Sequence, residues 1–206
     1  MHFSTAKQLT DPMNPEGGTT GNTLFYINEQ FVNKEAVGRH VENAQKNAYF
    51  EKFGGIMKDH GVAVGLGTDI YASIRNADVL DSYPEGVACI NIAYCCPDDK
   101  AEEVKAVFTE HAAWMEEFYK GDEGKAYLIK MHFSTAKQLT DPMNPEGGTT
   151  GNTLFYINEL FVNKEAVGRH VENAQKNAYF EKFGGIMKDH GVAVGLGTDI
   201  YASIRN

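Results

Sequence analysis

Two carboxylate–imidazole pairs are the first residues in this chain that could do chemistry: Glu29 with His40, and Glu159 with His170. Glu29 shares one face of an alternating strand pattern with Phe25, Ile27 and Phe31. His40 falls near the apolar stripe of the helical pattern that follows, and Glu159 and His170 repeat the arrangement. A carboxylate among apolar neighbours must find a partner or take a proton. If acid and imidazole meet, the carboxylate orients the ring and the ring can act as a general base. The alternative is a structural hydrogen bond that fixes helix to sheet. His111 and Trp114 lie on a separate helical pattern, where His111 falls on the apolar stripe and reaches either a pocket or ordinary packing. The adjacent Cys95 and Cys96 sit at a helix start, where a thiol can become reactive, although small apolar packing is the better reading. No Cys-x-x-Cys or His-Glu-x-x-His spacing occurs, so no metal site is expected. Neither Gly65-Leu66-Gly67 nor Glu16-Gly17-Gly18 forms a dinucleotide or phosphate loop.

The elements that must position these residues come twice. Residues 1–76 recur at 131–206 with one change, Gln30 against Leu160. Identity at 75 of 76 positions means that the duplication is very recent or designed. Within each copy the pattern reads strand, long Pro/Gly/Asn-rich loop over residues 10–22, strand over 23–31, helix, helix and strand over 62–74. The long loop has the length of a lid or binding segment. Asn33 is a plausible N-cap, and Gly54-Gly55 is expected to interrupt or kink the second helical piece. The unique block opens with a polar connection over 77–86. A β-rich run over 87–94, an amphipathic helix over 100–119 and a strand from 125 running on into the second copy complete it.

Residues 77–206 therefore read β-α-β-β-α-β, the ferredoxin-like split βαβ order of an α+β fold, with an antiparallel sheet and helices on one face. Residues 1–76 hold only β-β-α-β and lack a first strand and helix. The unique block can complete one copy or the other but not both. The expected division is an incomplete copy at 1–76 and a complete domain at 77–206. The orphan copy would expose strand edges and an apolar face, which predicts self-association through sheet faces or edges. A chain able to switch between two packings would have the same layout.

Residues 24–53 resemble the dimeric α+β barrel superfamily, in particular its antibiotic-biosynthesis-monooxygenase-like group. The resemblance is carried by Phe25-Tyr26-Ile27-Asn28-Glu29-Gln30-Phe31, the turn Val32-Asn33-Lys34-Glu35-Ala36, the helix with His40, and Tyr49-Phe50-Glu51-Lys52-Phe53. It implies oxygenation without a cofactor, or a related proton transfer, on a small aromatic or polyketide-like molecule held between sheet and helices. Glu159, His170, Glu29 and His40 would be catalytic. Tyr156, Asn158, His111, Trp114 and Tyr179 would contact substrate. Tyr26, Asn28 and their counterparts Tyr156 and Asn158 would otherwise pack an interface lining a barrel interior. Some relatives degrade haem, but the positions of their Trp and His correspond here to His40 and Phe50, so haem is not expected. The opposing reading is a non-catalytic tandem whose role is assembly or switching.

The bulk numbers fit either. The chain has 206 residues, 42% hydrophobic and 23% charged, with net charge −9 and pI near 5.2. No basic stripe exists to displace counterions, which argues against nucleic acid. No apolar run approaches the roughly 18 residues of a membrane span. Three cysteines, two of them adjacent, form no disulfide framework, and a cytoplasmic or organelle-lumen location is expected.

Overall fold

The computed structural model describes residues 1–75 and 86–203. The connection read over 77–86 lies, except for Gly86, outside them. The first copy forms β1 (His2–Leu9), β2 (Thr19–Asn28), α1 (Lys34–Gln45), α2 (Tyr49–His60) and β3 (Asp69–Arg75). The unique block gives β4 (Ala88–Pro97), α3 (Ala101–Phe118) and the one-turn α4 (Asp122–Lys125). The second copy, with three preceding residues, forms β5 (Leu128–Leu139), β6 (Thr149–Phe161), α5 (Lys164–Ala174), α6 (Phe180–His190) and β7 (Gly191–Ser203).

Local chemistry explains most boundaries. Asn33 and Asn163 cap α1 and α5, each accepting from the backbone N–H three residues on. The long loop is shorter than expected, because its last four residues join β2 and β6 and a 3-10 turn at the Pro-Glu-Gly sequence tightens the rest. β5 starts at Leu128 rather than 125, because residues 122–125 curl into α4. Gly54-Gly55 does not break α2, nor Gly184-Gly185 α6. The lack of a side chain serves packing instead: Met143 lies against Gly54 and Met13 against Gly184, so each copy's loop reaches onto the other copy's helix.

All strands join one antiparallel sheet in the order β2-β1-β7-β4-β6-β5-β3. The last four elements in strand form, β7-β4-β6-β5, with α3 and the α5–α6 pair, make the expected α+β unit with its first strand inside. β4 is buried on both faces, which suits its nearly continuous apolar sequence. The two copies then exchange ends. β7 pairs with β1 (Asp199 opposite Thr5, Ile200 opposite Ser4), and β3 pairs with β5 in the matching register (Asp69 opposite Thr135, Ile70 opposite Ser134). The sheet is rolled, since Asn28 of β2 donates to Asn91 of β4 across two intervening strands.

Sequences that differ only at Gln30 and Leu160 end differently in the two copies. Residues 191–198 are strand, whereas residues 61–68 are not. β6 runs to Phe161, but β2 stops at Asn28. The missing hydrogen-bond partner accounts for both. Residues 159–161 and 191–198 pair with β4, and the first copy has no such neighbour. Its helices α1 and α2 correspondingly bury no residue, whereas α5 buries Ala166, Val167, His170 and Ala174 and α6 buries Phe183 and Met187.

The one substitution follows the same division. Leu160 is wholly buried with Val87, Cys89 and Ile129. Gln30 is exposed, bonded to His132 Nδ1 at 3.0 Å and accepting from Lys130 Nζ at 3.1 Å. Leu160→Gln should therefore cost about 2–3 kcal/mol, and Gln30→Leu should cost far less. Urea unfolding of both variants measures the difference, and equal losses would contradict this account of the substitution.

Candidate functional site

Three elements bring three ionisable side chains together under the helix layer. Strand alternation turns Glu159 inward with Phe155, Ile157 and Phe161. His111 lies on the buried stripe of α3 with Val104, Val107, Phe108, Ala112 and Met115, at steps of three and four. His170 sits on the buried face of α5. His111 Nε2 is 3.2 Å from Glu159 Oε1, and His170 Nε2 is 3.4 Å from Glu159 Oε2. All three side chains are buried. The far ring nitrogens are also engaged: His111 Nδ1 meets the Tyr179 hydroxyl at 2.7 Å, and His170 Nδ1 meets the Tyr119 hydroxyl at 2.9 Å. One carboxylate thus bridges two imidazoles, each steadied from behind by a phenol.

Aromatic rings enclose the cluster. His111 stacks on Phe133 at 5.6 Å and on Trp114 at 5.5 Å, and Phe183 lies 5.0 Å away. His170 packs against Phe161 and Trp114 at 5.1 and 5.3 Å. Trp114 is half-buried and stacks on the exposed Phe118, so its indole is the layer between the cluster and solvent.

This dry setting decides protonation. Burial pushes His111 down to about 3 and His170 down to about 4, the latter against the pull of the Glu159 charge. Burial also raises the Glu159 carboxyl, with His170 opposing the rise. Burial, then the nearby Glu159, raises both tyrosines, which stay phenols. A protonated acid between two neutral rings and a carboxylate beside one imidazolium differ by moving a single proton a few ångströms. Glu159 Oε2 has no well-formed hydrogen bond, an orphaned oxygen in a buried site. The same atoms could hold a divalent ion. They lie within 4.8 Å of one another, and the two imidazole–carboxylate separations are close to the edge, about 3.3 Å, of a tetrahedron with zinc-like bond lengths. Tyrosines behind both rings would then serve as outer partners.

Of the residues singled out by sequence, Glu159, His170, His111, Trp114 and Tyr179 converge here. Tyr156 and Asn158 do not, because strand alternation points them to the opposite face of the sheet. There Asn158 donates to Asn91, and Asn91 donates in turn to Ser4 Oγ at 2.9 Å and Thr198 Oγ1 at 3.1 Å. Glu29 and His40 meet at 3.3 Å but stand half-exposed, with Phe31 5.1 Å from the imidazole. The counterparts of His111, Trp114 and Tyr119 are missing there, since α3 serves only the second copy. In the sequence Tyr119 is no more than the last residue of the amphipathic pattern over 100–119. Its role depends on α3 ending beside α5, which no local pattern encodes. The cysteines are ordinary thiols: burial raises Cys95, raises Cys96 to about 11 and raises Cys89 to about 12.

No family model and no curated protein matches the chain. Solved structures do. A proposed monooxygenase from Lactobacillus acidophilus NCFM superposes with TM-score 0.43 at 14% identity, covering 96% of this chain and 75% of its own. A proposed monooxygenase from Fusobacterium nucleatum superposes with TM-score 0.45 at 11% identity, covering 98% and 80%. Each is a similarity of chain path at low sequence identity. Among the described residues no helix is long and apolar enough to cross a membrane.

The buried histidines make stability depend on pH. His111 and His170 stay neutral in the fold down to about 3 and 4, and His2 and His132, on the other face, down to about 3 and 4 as well. An unfolded chain protonates them near 6.5. The unfolded state binds more protons below that pH, so stability falls as pH drops from about 6.5 toward 4. Glu159 opposes this: it keeps its proton in the fold above 4.5, so its contribution is lost as pH rises. Four groups outweigh one. Urea midpoints should decline steadily from neutral pH toward 4.5, less steeply in His111→Phe. A flat profile would show that the cluster is already charged or hydrated.

Proposed function

We propose that the chain is a small-molecule enzyme that removes a proton from an acidic C–H or phenolic O–H of an aromatic or polyketide-like compound. The anion then gives its electrons to dioxygen in a monooxygenase-like reaction: at a ring methylene both C–H bonds break, one oxygen atom forms a C=O, and the other leaves with the two hydrogens as water, so the substrate supplies all four electrons. The observation that carries this reading is Glu159 bridging His111 and His170, with one carboxylate oxygen left without a hydrogen bond. His170 takes the proton at Nε2, Glu159 receives or compensates it, and Tyr119 and Tyr179 hold the rings in register. Burial leaves the imidazoles unprotonated and so able to accept a proton, and the adjacent Glu159 charge is what favours the imidazolium that forms. The rings of Phe133, Phe161, Phe183 and Trp114 suit a flat apolar substrate, admitted when Trp114 swings aside. Glu29 and His40 would be a half-built version of the same base.

No metal or organic cofactor enters this scheme. Oxygen consumption with a panel of quinols and anthrone-like compounds tests it. His170→Ala should lower turnover by about 10²–10⁴-fold, and Tyr119→Phe by less. Treatment with a chelator should leave the rate unchanged. A rate that survives His170→Ala removes the residue from the chemistry, and a rate lost to the chelator transfers the same three ligands to a metal mechanism.

One observation favours a second, non-catalytic reading in which the chain serves assembly. The first copy exposes Phe25 at 70% and Ile27 at 46%, whereas Phe155 and Ile157 are almost fully buried. A defined oligomer on size exclusion with no turnover of any panel compound would support assembly over catalysis.

A further inference from the structure

The strongest asymmetry in the molecule is a place where one copy has a neighbour and its near-identical twin has none. In the second copy β4 lies between β6 and β7. In the first copy the corresponding strands are β2 and β3, the two ends of the sheet. We propose that the opening between β2 and β3 is a docking site for a β-strand followed by an amphipathic helix, of the chemistry of residues 87–119, presented by a separate polypeptide.

The molecule itself shows how such a segment is held, and the first copy keeps the parts in place. Gly65 stands against the Tyr156 hydroxyl as Gly195 stands against that of Tyr26, so the unpaired stretch 61–68 already occupies the path its twin follows as a strand. Charge matches too. Lys137 and Thr153 hold Asp98, at the head of α3, at 2.8 and 2.7 Å. Their counterparts Lys7 and Thr23 bond each other at 2.9 Å, as Lys137 and Thr153 do at 3.0 Å, and line a groove with Thr5, Leu196 and Asp199, beside β7 and β1. Arg169 lies over the Tyr127 ring and donates to its hydroxyl, whereas Arg39 turns back to Glu35. The exposed Phe25 and Ile27 mark where the new strand and helix would bury apolar surface.

The shift of 130 residues fixes the register. The incoming residue equivalent to Ile92 would face Ile27, and those equivalent to Asn91 and Tyr94 would face Asn28 and Phe25. Its histidine would reach Glu29 and complete a second Glu–His–His cluster with His40. A second copy of this chain is a poorer occupant, because its own β4 and α3 are already committed and donating them would open an equal gap.

The test adds a synthetic segment of residues 77–130 to the full chain in molar excess, read by native mass spectrometry and hydrogen exchange. The expected result is one segment per chain, with amides 29–31 and 61–68 slowing toward the rates of 159–161 and 191–198. Phe25→Asp, at an exposed position, should weaken uptake by more than about tenfold. Lys7→Glu should weaken it about two- to fivefold and recover with a segment carrying Asp98→Lys. Three outcomes overturn the proposal: no uptake; uptake with amides 61–68 unprotected, which signals exchange with the resident β4; or a dimer of the chain alone in which those amides are already slow. None of these readouts depends on turnover.

Discussion

The backbone pairing of β4 with β6 on one side and β7 on the other holds the second half of this protein together. Its ladder runs from Ala88 to Pro97 along β6, and from Ala88 to Tyr94 along β7. Two rows of hydrogen bonds turn residues 191–198 into strand, carry β6 on to Phe161 and thereby put Glu159 in a fixed place. α3 leaves β4 through Pro97 and delivers His111, Trp114 and Tyr119 to that carboxylate. Without the pairing, the same residues in the first copy give a shortened strand, a coil and a half-exposed Glu29–His40 pair.

Much of this was legible in the sequence because period and punctuation are local properties. The period-2 run of Phe155, Ile157, Glu159 and Phe161 gave the inward face, and Asn163 gave the helix start. The stripe through His111 gave the face of α3. The order of strands and helices over the last 130 residues then implied an α+β sheet of this type. Other features were hidden for definite reasons. Gly54-Gly55 looked like a break, but glycine inside a helix also serves as the landing place for a methionine from elsewhere, which only the fold reveals. Residues 62–68 read as strand, correctly for their chemistry and wrongly for their place, because strand formation needs a partner.

The candidate site was legible as residue types and not as a constellation. Glu159 and His170 are eleven residues apart, and a strand–turn–helix unit brings them together by short-range geometry. His111 joins them from a helix 48 residues before Glu159. No spacing rule covers ligands drawn from three elements, so no metal-type motif marks a cluster whose atoms fall within 4.8 Å. Burial then supplies what composition could not: it keeps the imidazoles neutral and raises the carboxyl, so the chemistry of the site belongs to the shell of rings as much as to its three polar members.

The exchange of terminal strands alters what joins the two halves. Each half grips the other along a backbone seam, β7 on β1 and β3 on β5, and each lays a methionine into a groove of the opposite helix. The copies are therefore clasped by their strands as well as joined through the unique block. Mechanical load between the halves is borne by two hydrogen-bonded ladders in parallel.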